Sequence, residues 1–253
     1  MAKALVLVPF ALDESGIANR RAQLDHVRLG PEVEFDFRGV TAGPKSYMSP
    51  HDFVLMDMAI FEAGMSAQDE GYDAVCIDTM SDSGLDALRS VLDIPVIAPG
   101  KAAMLFCLTL GNKFSIICQW DYAVARTTKM IRALGLEDFC AAVVNFDVPP
   151  DYASLLDGKE DTVFPKMRAA CEEAMAAGAD VVCLGSTTMH QAAEYLAETL
   201  PIPVVNPGPL TYKLVESVLD LKLTHSRKAY PKPLDPYPDM IHAMLKAGKE
   251  WLG

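Results

Sequence analysis

The feature that most constrains this chain is an internal repeat. The segment Asp73–Thr79, with the sequence DAVCIDT, aligns without a gap with Asp180–Ser186, with the sequence DVVCLGS. Further along, Ile94–Gly100 aligns with Ile202–Gly208, and the spacing between the two segments differs by one residue in the two copies. Two matched segments in the same order indicate that a whole structural unit was duplicated. The sequence therefore predicts two related lobes.

Short runs rich in Val, Ile and Leu alternate with longer segments of helical periodicity, which is typical of parallel sheets covered by helices. We expect strands at Ala4–Pro9, Val33–Arg38, Ala74–Asp78, Val96–Ile97, Lys113–Cys118, Ala141–Asn145, Val181–Gly185 and Val204–Val205. We expect helices at Gly16–Leu29, His51–Glu70, Ser83–Leu92, Ala102–Thr109, Ala123–Leu134, Phe164–Ala177, His190–Leu200 and Pro209–Asp220. Each strand is then followed by its helix, as right-handed crossovers require.

The fold class predicted from this order is α/β, with two pseudo-symmetric αβα lobes, parallel sheets and a ligand cleft between the lobes. The first lobe is expected to comprise residues 1–100 with 209–253, and the second residues 101–208. The stretch from Leu223 to Pro238 is rich in proline, so we expect an irregular connection before a last helix at Asp239–Leu252. This connection either ties the C-terminus to the first lobe, or covers the cleft or an oligomer contact.

Composition excludes several classes of partner. The chain has 253 residues and a formal net charge of −12, without a clustered basic stripe, which disfavours nucleic acid and anionic membranes and favours a small molecule. No apolar run approaches the roughly 18–20 residues of a membrane helix, and the N-terminus lacks a signal-peptide pattern. The six cysteines lack zinc or disulfide spacing, so we expect no structural metal and a reducing, cytoplasmic location.

Two hydroxyl residues mark the expected binding site. Ligands of open α/β sheets bind beyond the carboxyl ends of the strands, and Thr79 and Ser186 occupy that position in the two copies. We expect the two hydroxyls to face each other across the cleft. Cys76 and Cys183 lie three residues earlier, an odd step along a strand, so we expect these thiols to pack on the opposite face.

At these residues the sequence resembles the aspartate/glutamate/hydantoin racemase superfamily over nearly its whole length. The similar segments are Gly43–Tyr47 with Ser49 and Asp52, then Asp82–Asp86, Pro99–Met104 and Leu184–Met189. The resemblance implies two αβα lobes, no cofactor, and a cleft for a small carboxylate or cyclic amide. Racemases of this superfamily carry a cysteine after the central strand of each lobe, and the corresponding residues here are Thr79 and Ser186. Val8, Pro9 and Phe10 stand where hydantoin-type racemases have asparagines around the proline.

The two hydroxyls change the chemistry that the resemblance implies. The pKa of a thiol can be lowered until the thiolate forms near neutral pH. An aliphatic hydroxyl is too weak an acid to be deprotonated in this way, so it cannot act as a base. Racemisation by two thiols therefore cannot run unchanged in this chain. Thr79 and Ser186 can instead donate hydrogen bonds to a carboxylate or a developing enolate.

An acid or base for catalysis must then come from neighbouring residues. Asp78 and Asp82 flank Thr79, and His190 lies four residues after Ser186. Asp78 ends a strand among apolar residues, where burial raises the pKa of a carboxyl group into a useful range. The alternative for Asp82 is to cap the next helix, and the alternative for His190 is a hydrogen-bonded surface or interface position.

Other residues near the strand ends are candidates for substrate binding. Tyr47 and Ser49 lie in a loop after the second strand, and their alternative is a simple turn. Cys118 either replaces the missing thiols or is an ordinary buried cysteine, and Trp120 either walls the pocket or covers the core. Instead of binding substrate, the segment Ser186–Thr188 could cap the helix that follows it. The remaining candidates are Pro9, Phe10, Met80, Ser81, Thr187 and Thr188.

The leading functional hypothesis is a cofactor-independent, racemase-like enzyme that acts on a small carboxylate or hydantoin-type substrate through an enolate or carbanion intermediate. Racemisation, decarboxylation, elimination and cis–trans isomerisation would all use the same cleft. Hypotheses from other classes are a non-catalytic binder of small anions and a structural or interaction protein. A homo-oligomer is expected only because dimers are common among soluble enzymes.

Overall fold

The computed structural model describes residues 1–148, 158 and 160–252, and the chain divides into two compact units. The first unit is Met1–Ala98 with Thr211–Gly253, and the second is Pro99–Leu210. Each unit contains a four-stranded parallel sheet. No helix within the described ranges combines the length and the apolar character that crossing a bilayer requires.

The sheet of the first unit has the strand order β2-β1-β3-β4. Its strands are β1 (Ala2–Val8), β2 (Val33–Gly39), β3 (Ala74–Ile77) and β4 (Val96–Ile97), and its helices are α1 (Glu14–Arg21), α2 (Pro50–Gly64), α3 (Leu85–Val91) and α9 (Pro238–Leu252). Strand β1 lies at the centre, and its residues Ala4–Val8 are all buried. A continuous apolar strand of this kind is expected where a parallel sheet is covered on both faces.

The sheet of the second unit has the strand order β6-β5-β7-β8. Its strands are β5 (Phe114–Cys118), β6 (Cys140–Asn145), β7 (Val181–Leu184) and β8 (Val204–Val205). Its helices are α4 (Pro99–Leu110), α5 (Asp121–Ala133), α6 (Glu160–Ala176) and α7 (Ala192–Thr199). The residues of α8 (Pro207–Asp220) are assigned to the second unit up to Leu210 and to the first unit from Thr211. All residues of β5 and β7 are buried, so this sheet also has an apolar centre.

The two sheets reproduce the sequence repeat. Equivalent strands take the same places, and the register pairs Val75 with Val96 in one sheet and Val182 with Val204 in the other. The first residue of each repeat, Asp73 or Asp180, accepts a hydrogen bond from the backbone N–H at the start of the central strand. The eight predicted strands are confirmed, with ends that shift by at most two residues.

Two helix predictions extended well past the observed C-terminal ends of the helices. The helix predicted at Gly16–Leu29 ends at Arg21 and continues as a 3₁₀ helix at Ala22–His26, in which the Gln23 side chain turns inward to a buried carboxylate. The helix predicted at His51–Glu70 ends at Gly64, and the chain beyond it forms tight turns. There Gln68 uses its side chain to accept hydrogen bonds from backbone N–H groups near Asp93, which ties the turn to the next element.

The proline-rich connection from Leu223 to Pro238 is irregular, as predicted, and Asp93 ties it to the first unit. Arg227 Nε donates to Asp93 Oδ1 at 3.0 Å, and Lys232 Nζ donates to Oδ2 at 2.7 Å. These hydrogen bonds, that of Lys232 first, lower the pKa of Asp93 to about 2. The connection is therefore held by charge–charge contacts rather than by regular secondary structure.

The close approach of β7 to β5 gives a stability prediction. A Cβ atom on Gly185 would lie 2.5 Å from the carbonyl oxygen of Ile117 and 3.0 Å from Cys118 Sγ. Gly185→Ala should therefore force the strands apart and lower the free energy of unfolding by about 1–3 kcal/mol in urea titrations.

The control is Gly248→Ala in α9, where the new methyl group meets only the Ala42 Cβ at 3.7 Å. This control should leave the protein equally stable or slightly more stable, because alanine is the better helix former. Equal losses in both variants would contradict the account.

Candidate active site

Thr79 begins a turn two residues after the last residue of β3. Its Oγ1 accepts a hydrogen bond from the Ser81 backbone N–H at 3.4 Å and lies 3.0 Å from Ser81 Oγ. Ser81 Oγ in turn lies 2.8 Å from Ser83 Oγ and 3.5 Å from Met56 Sδ. Ser81 and Ser83 are buried, whereas Thr79 is half-buried. Thr79 is thus the outer member of a row of three hydroxyl groups.

Ser186 begins the equivalent turn in the second unit, one residue beyond β7 and Gly185. Its Oγ accepts a hydrogen bond from the Thr188 backbone N–H at 3.2 Å and lies 2.8 Å from Thr188 Oγ1. Ser186 caps a short 3₁₀ helix at Thr187–Met189, so the capping alternative describes its local hydrogen bonds. The same hydroxyl pair, two residues apart, therefore follows the equivalent strand in both units. We call Thr79–Ser81 and Ser186–Thr188 the hydroxyl turns.

His190 takes the place in the second unit that Ser83 has in the first. Both residues lie four positions after the first hydroxyl of their turn. The alternative that His190 lies at the surface is wrong, because its side chain is only 2% exposed. Its Nδ1 lies 3.4 Å from the Thr187 carbonyl oxygen. The helix predicted to begin here begins instead at Ala192, since His190 completes the preceding turn. A buried imidazole therefore stands behind the second hydroxyl turn.

Asp78 is buried, but its surroundings differ from the apolar ones that were expected. Arg20 Nη1 lies 3.3 Å from Asp78 Oδ2, and Gln23 Nε2 lies 3.1 Å and 3.2 Å from the two carboxylate oxygens. A cation and an amide donor both stabilise the ionised carboxylate. These contacts engage both carboxylate oxygens of Asp78, which disfavours it as a general base.

Arg20 and Gln23 were missed by the sequence analysis. Arg20 is 1% exposed, and its guanidinium carbon lies 5.2 Å from the centre of the Phe10 ring. Tyr212 of α8 is also fully buried, and burial, followed by the charge of Asp78, raises its pKa. Arginine in a short polar helix usually faces solvent, so the only available signal was a carboxylate at a strand end that needed a cation.

The buried ion pair makes a second prediction about stability. Asp78→Ala and Arg20→Met should each lower the free energy of unfolding by about 3–5 kcal/mol, because each leaves a buried charge without its partner. The double variant Arg20→Met with Asp78→Leu should lose much less than the sum of the single variants. Glu172→Ala is the control, since its pair with Arg168 is about half exposed and should matter by less than about 1 kcal/mol. Additive losses would contradict a direct pairing.

Asp82 does not cap α3, because Gly84 occupies the N-cap position of that helix. Asp82 has a positive φ of 52°, and its backbone N–H donates to the Thr79 carbonyl oxygen at 3.2 Å. Its own carbonyl oxygen accepts a hydrogen bond from Leu85. Its backbone thus closes the first hydroxyl turn, while a catalytic role of its carboxylate stays a prediction.

Tyr47 and Ser49 have partners within the first unit. Tyr47 is buried, its hydroxyl donates to the Pro9 carbonyl oxygen, and its ring lies 4.9 Å from that of Phe10. Ser49 forms a capping box with Asp52 at the start of α2, so it is a helix cap and not a simple turn. Contacts of these residues with a substrate stay predictions.

The pKa values of three buried cysteines are raised, which favours the thiol form of their side chains. Burial raises the pKa of Cys118 to about 11, and burial together with the charge of Asp78 raises that of Cys76. A hydrogen bond with Cys107 and burial raise the pKa of Cys183. The predicted packing of Cys76 and Cys183 in the interior is confirmed. Cys118 is equally buried, which disfavours it as a replacement for the missing thiol pair.

These thiols allow a labelling experiment. A pKa of about 11 leaves roughly one thiol in a thousand ionised at pH 8, and the reactive thiolate forms only as the pH rises toward 11. Iodoacetamide at pH 8 should therefore leave Cys76, Cys118 and Cys183 unmodified in the folded protein and modify them in urea, as read by mass spectrometry. Labelling of Cys118 that is as fast in the folded protein as in urea would contradict its burial.

The remaining candidates lie near the ends of the strands, and the structure adds one residue to them. Met80 and Trp120 are partly buried, whereas Thr187 and Thr188 are buried. Asn206, directly after β8, was not predicted; its Oδ1 is buried and has no hydrogen-bond partner among the residues that the structure describes. Within those residues no group of His, Cys, Asp and Glu side chains is arranged to hold a metal ion.

A model of the family described as Asp/Glu/Hydantoin racemase matches residues 18–215. This chain belongs to the Asp/Glu/hydantoin racemase family. The resemblance seen in the sequence motifs is thereby confirmed. Among curated family relatives, the hydantoin racemase of Pseudomonas sp. (strain NS671) is 26% identical over 198 residues, which is 76% of each chain. The hydantoin racemase of Rhizobium meliloti is 28% identical over 173 residues, covering 64% of this chain and 68% of that protein.

Solved structures of racemases share the fold. The allantoin racemase from Klebsiella pneumoniae superimposes with a TM-score of 0.84 at 24% identity, covering 93% of this chain and 95% of that one. The allantoin racemase from Pseudomonas fluorescens gives 0.82 at 24% identity, with 93% and 98% covered. An arylmalonate decarboxylase gives 0.56 at 16% identity, with 84% and 90% covered. The predicted fold class of two parallel-sheet α/β lobes is therefore confirmed.

Proposed function

We propose that this member of the Asp/Glu/hydantoin racemase family is an enzyme that acts on a small cyclic amide or carboxylate through an enolate-like intermediate, and that Thr79 and Ser186 bind the negative charge of that intermediate. The observation that carries the proposal is the duplicated hydroxyl turn. Each outer hydroxyl is only half-buried, lies two residues after the last residue of a buried parallel strand, and is backed by a second hydroxyl at 3.0 Å or 2.8 Å. Ligands of parallel α/β sheets bind at this edge.

The role of the hydroxyls follows from their acidity. By the family resemblance, Thr79 and Ser186 stand where the racemases carry cysteines. A hydroxyl cannot supply a standing base at neutral pH, but it donates a hydrogen bond to an oxyanion, and one such donor commonly contributes about 10²–10³ in rate. We therefore assign charge stabilisation, and not proton abstraction, to Thr79 and Ser186.

Proton transfer is assigned to His190. Asp78 is committed to its ion pair with Arg20, whereas an imidazole ring carries one nitrogen that can donate a proton and one that can accept it. His190 stands four residues after Ser186, in the place that a serine takes in the other unit. Within the second unit, Ser186 would thus supply a hydrogen-bond donor to the oxyanion and His190 the proton-transfer group.

The names of the relatives indicate the first substrates to test. The curated relatives are hydantoin racemases, and the most similar of the structures described above are allantoin racemases, so 5-substituted hydantoins are the first class. Decarboxylation of a malonate-type acid is the second candidate, because loss of CO2 generates the enolate without a base. The likeness of fold to an arylmalonate decarboxylase favours including that reaction.

The proposal is tested by incubating the protein with L-5-benzylhydantoin or phenylmalonate in D2O and following the reaction by NMR. We expect deuterium at C5 of the hydantoin, or release of CO2 and deuterium in phenylacetate, faster than without protein. Thr79→Val and Ser186→Ala should each lower the rate about 10²–10³-fold. Thr128→Val, at an exposed threonine of α5, is the matched control and should keep the full rate.

Two outcomes would contradict the proposal. Stabilisation of the protein by these compounds without turnover would favour the non-catalytic binder. Full activity in both hydroxyl variants would remove Thr79 and Ser186 from the mechanism while leaving the enzyme assignment intact.

A further inference from the structure

We infer that Ser81 and Thr188 are positioning residues that set the direction of the outer hydroxyls. The backbone N–H and the side-chain O–H of Ser81 both donate to Thr79 Oγ1, and those of Thr188 both donate to Ser186 Oγ. The hydroxyl protons of Thr79 and Ser186 are then left to bind an acceptor atom of the ligand. The inference rests on the proposed function, because it assigns ligand contact to the same two hydroxyls. It changes the predicted role of Ser81 and Thr188 from substrate contact to orientation of the residues that make the contact.

In the second unit only two hydroxyl groups, those of Ser186 and Thr188, share the hydrogen bond. A hydroxyl group has one proton and two lone pairs, so the 2.8 Å contact between Ser186 Oγ and Thr188 Oγ1 has one donor. Thr188 is 9% exposed, and a buried hydroxyl proton needs an acceptor within the protein. Ser186 is half-buried and can donate outward. The pair is therefore satisfied when Thr188 donates and Ser186 Oγ accepts from both its O–H and its N–H.

The first unit has the same arrangement with one more hydroxyl. Ser83 is 3% exposed and lies 2.8 Å from Ser81 Oγ, which lies 3.0 Å from Thr79 Oγ1. With Ser83 donating to Ser81 and Ser81 donating to Thr79, both buried protons are bound to oxygen acceptors. Met56 Sδ, at 3.5 Å from Ser81 Oγ, is a weak acceptor. Hydroxyls aligned in one direction polarise one another and strengthen the last donor, which is Thr79.

The direction of these hydrogen bonds fixes the chemistry of the ligand. Because both outer oxygens already accept hydrogen bonds, a ligand must offer them an acceptor, such as a carboxylate, carbonyl or imidate oxygen. A ligand that presents only N–H groups would find no partner at these two positions. The duplication thus selects for an electron-rich oxygen at each hydroxyl turn.

The test places a titratable reporter at the outer position. In Ser186→Cys the new sulfur should receive both hydrogen bonds from Thr188, so its pKa should lie below the ordinary value of about 8.5. Adding Thr188→Val, which keeps the shape and removes the hydroxyl, should raise this pKa by about one unit, a tenfold fall in acid dissociation. The pKa is read from the rate of iodoacetamide alkylation against pH, with the site identified by mass spectrometry.

Matched variants complete the design. Adding Thr188→Ser to Ser186→Cys should restore the low pKa, and adding Thr199→Val, which removes a hydroxyl bonded to the Tyr195 carbonyl oxygen in α7, should leave it unchanged. Thr79→Cys with and without Ser81→Ala repeats the test in the first unit. Thr188→Ala replaces Thr188→Val if the latter fails to fold, with the same direction expected.

An unchanged thiol pKa on removal of the Thr188 hydroxyl, in folded protein, would overturn the inference. The titration uses no substrate, so its result is independent of the proposed function. Inactivity toward hydantoins and malonates with the expected pKa shift would contradict the enzyme assignment alone. Activity in the wild type with no pKa shift would contradict the positioning role alone.

Discussion

The candidate site depends on the last hydrogen bond between the two inner strands of each sheet. In the first unit the Asp78 backbone N–H donates to the Leu7 carbonyl oxygen at 2.9 Å, and in the second the Gly185 N–H donates to the Ile117 carbonyl oxygen at 2.8 Å. The next residue in each case, Thr79 or Ser186, is therefore the first to leave the sheet. The side-chain oxygen of this residue accepts a hydrogen bond from the backbone N–H two residues later, while the residue before it is bonded to the sheet.

The two units share this geometry and differ in the residues that support it. Asp78 brings a buried carboxylate with Arg20 behind it, whereas the equivalent residue Gly185 brings no side chain and lets the strands approach closely. Ser83 in one unit corresponds to His190 in the other. Duplication thus preserved the hydroxyl donors, while the surrounding positions diverged into an ion pair on one side and an imidazole on the other.

Much of this architecture was predictable from the sequence. The repeat, the eight strands and the positions of Thr79 and Ser186 follow from local apolar runs and their order, which are properties of the chain itself. The pairing of Arg20 with Asp78 was not predictable, since it joins residues 58 positions apart whose contact depends on how α1 packs on the sheet. Helix ends were misjudged at Arg21 and Gly64 because side chains beyond them bond to distant groups instead of continuing the helix.

The outer hydroxyls of Thr79 and Ser186 are proposed to donate hydrogen bonds to negative charge on a ligand. The most direct measurement is a crystal structure of the protein with orotate, a planar cyclic ureide that carries a carboxylate. We expect Thr79 Oγ1 and Ser186 Oγ each at about 2.5–3.0 Å from a carboxylate or carbonyl oxygen of orotate. A complex in which either hydroxyl lies beyond hydrogen-bonding distance, or contacts only a ring N–H, would contradict it.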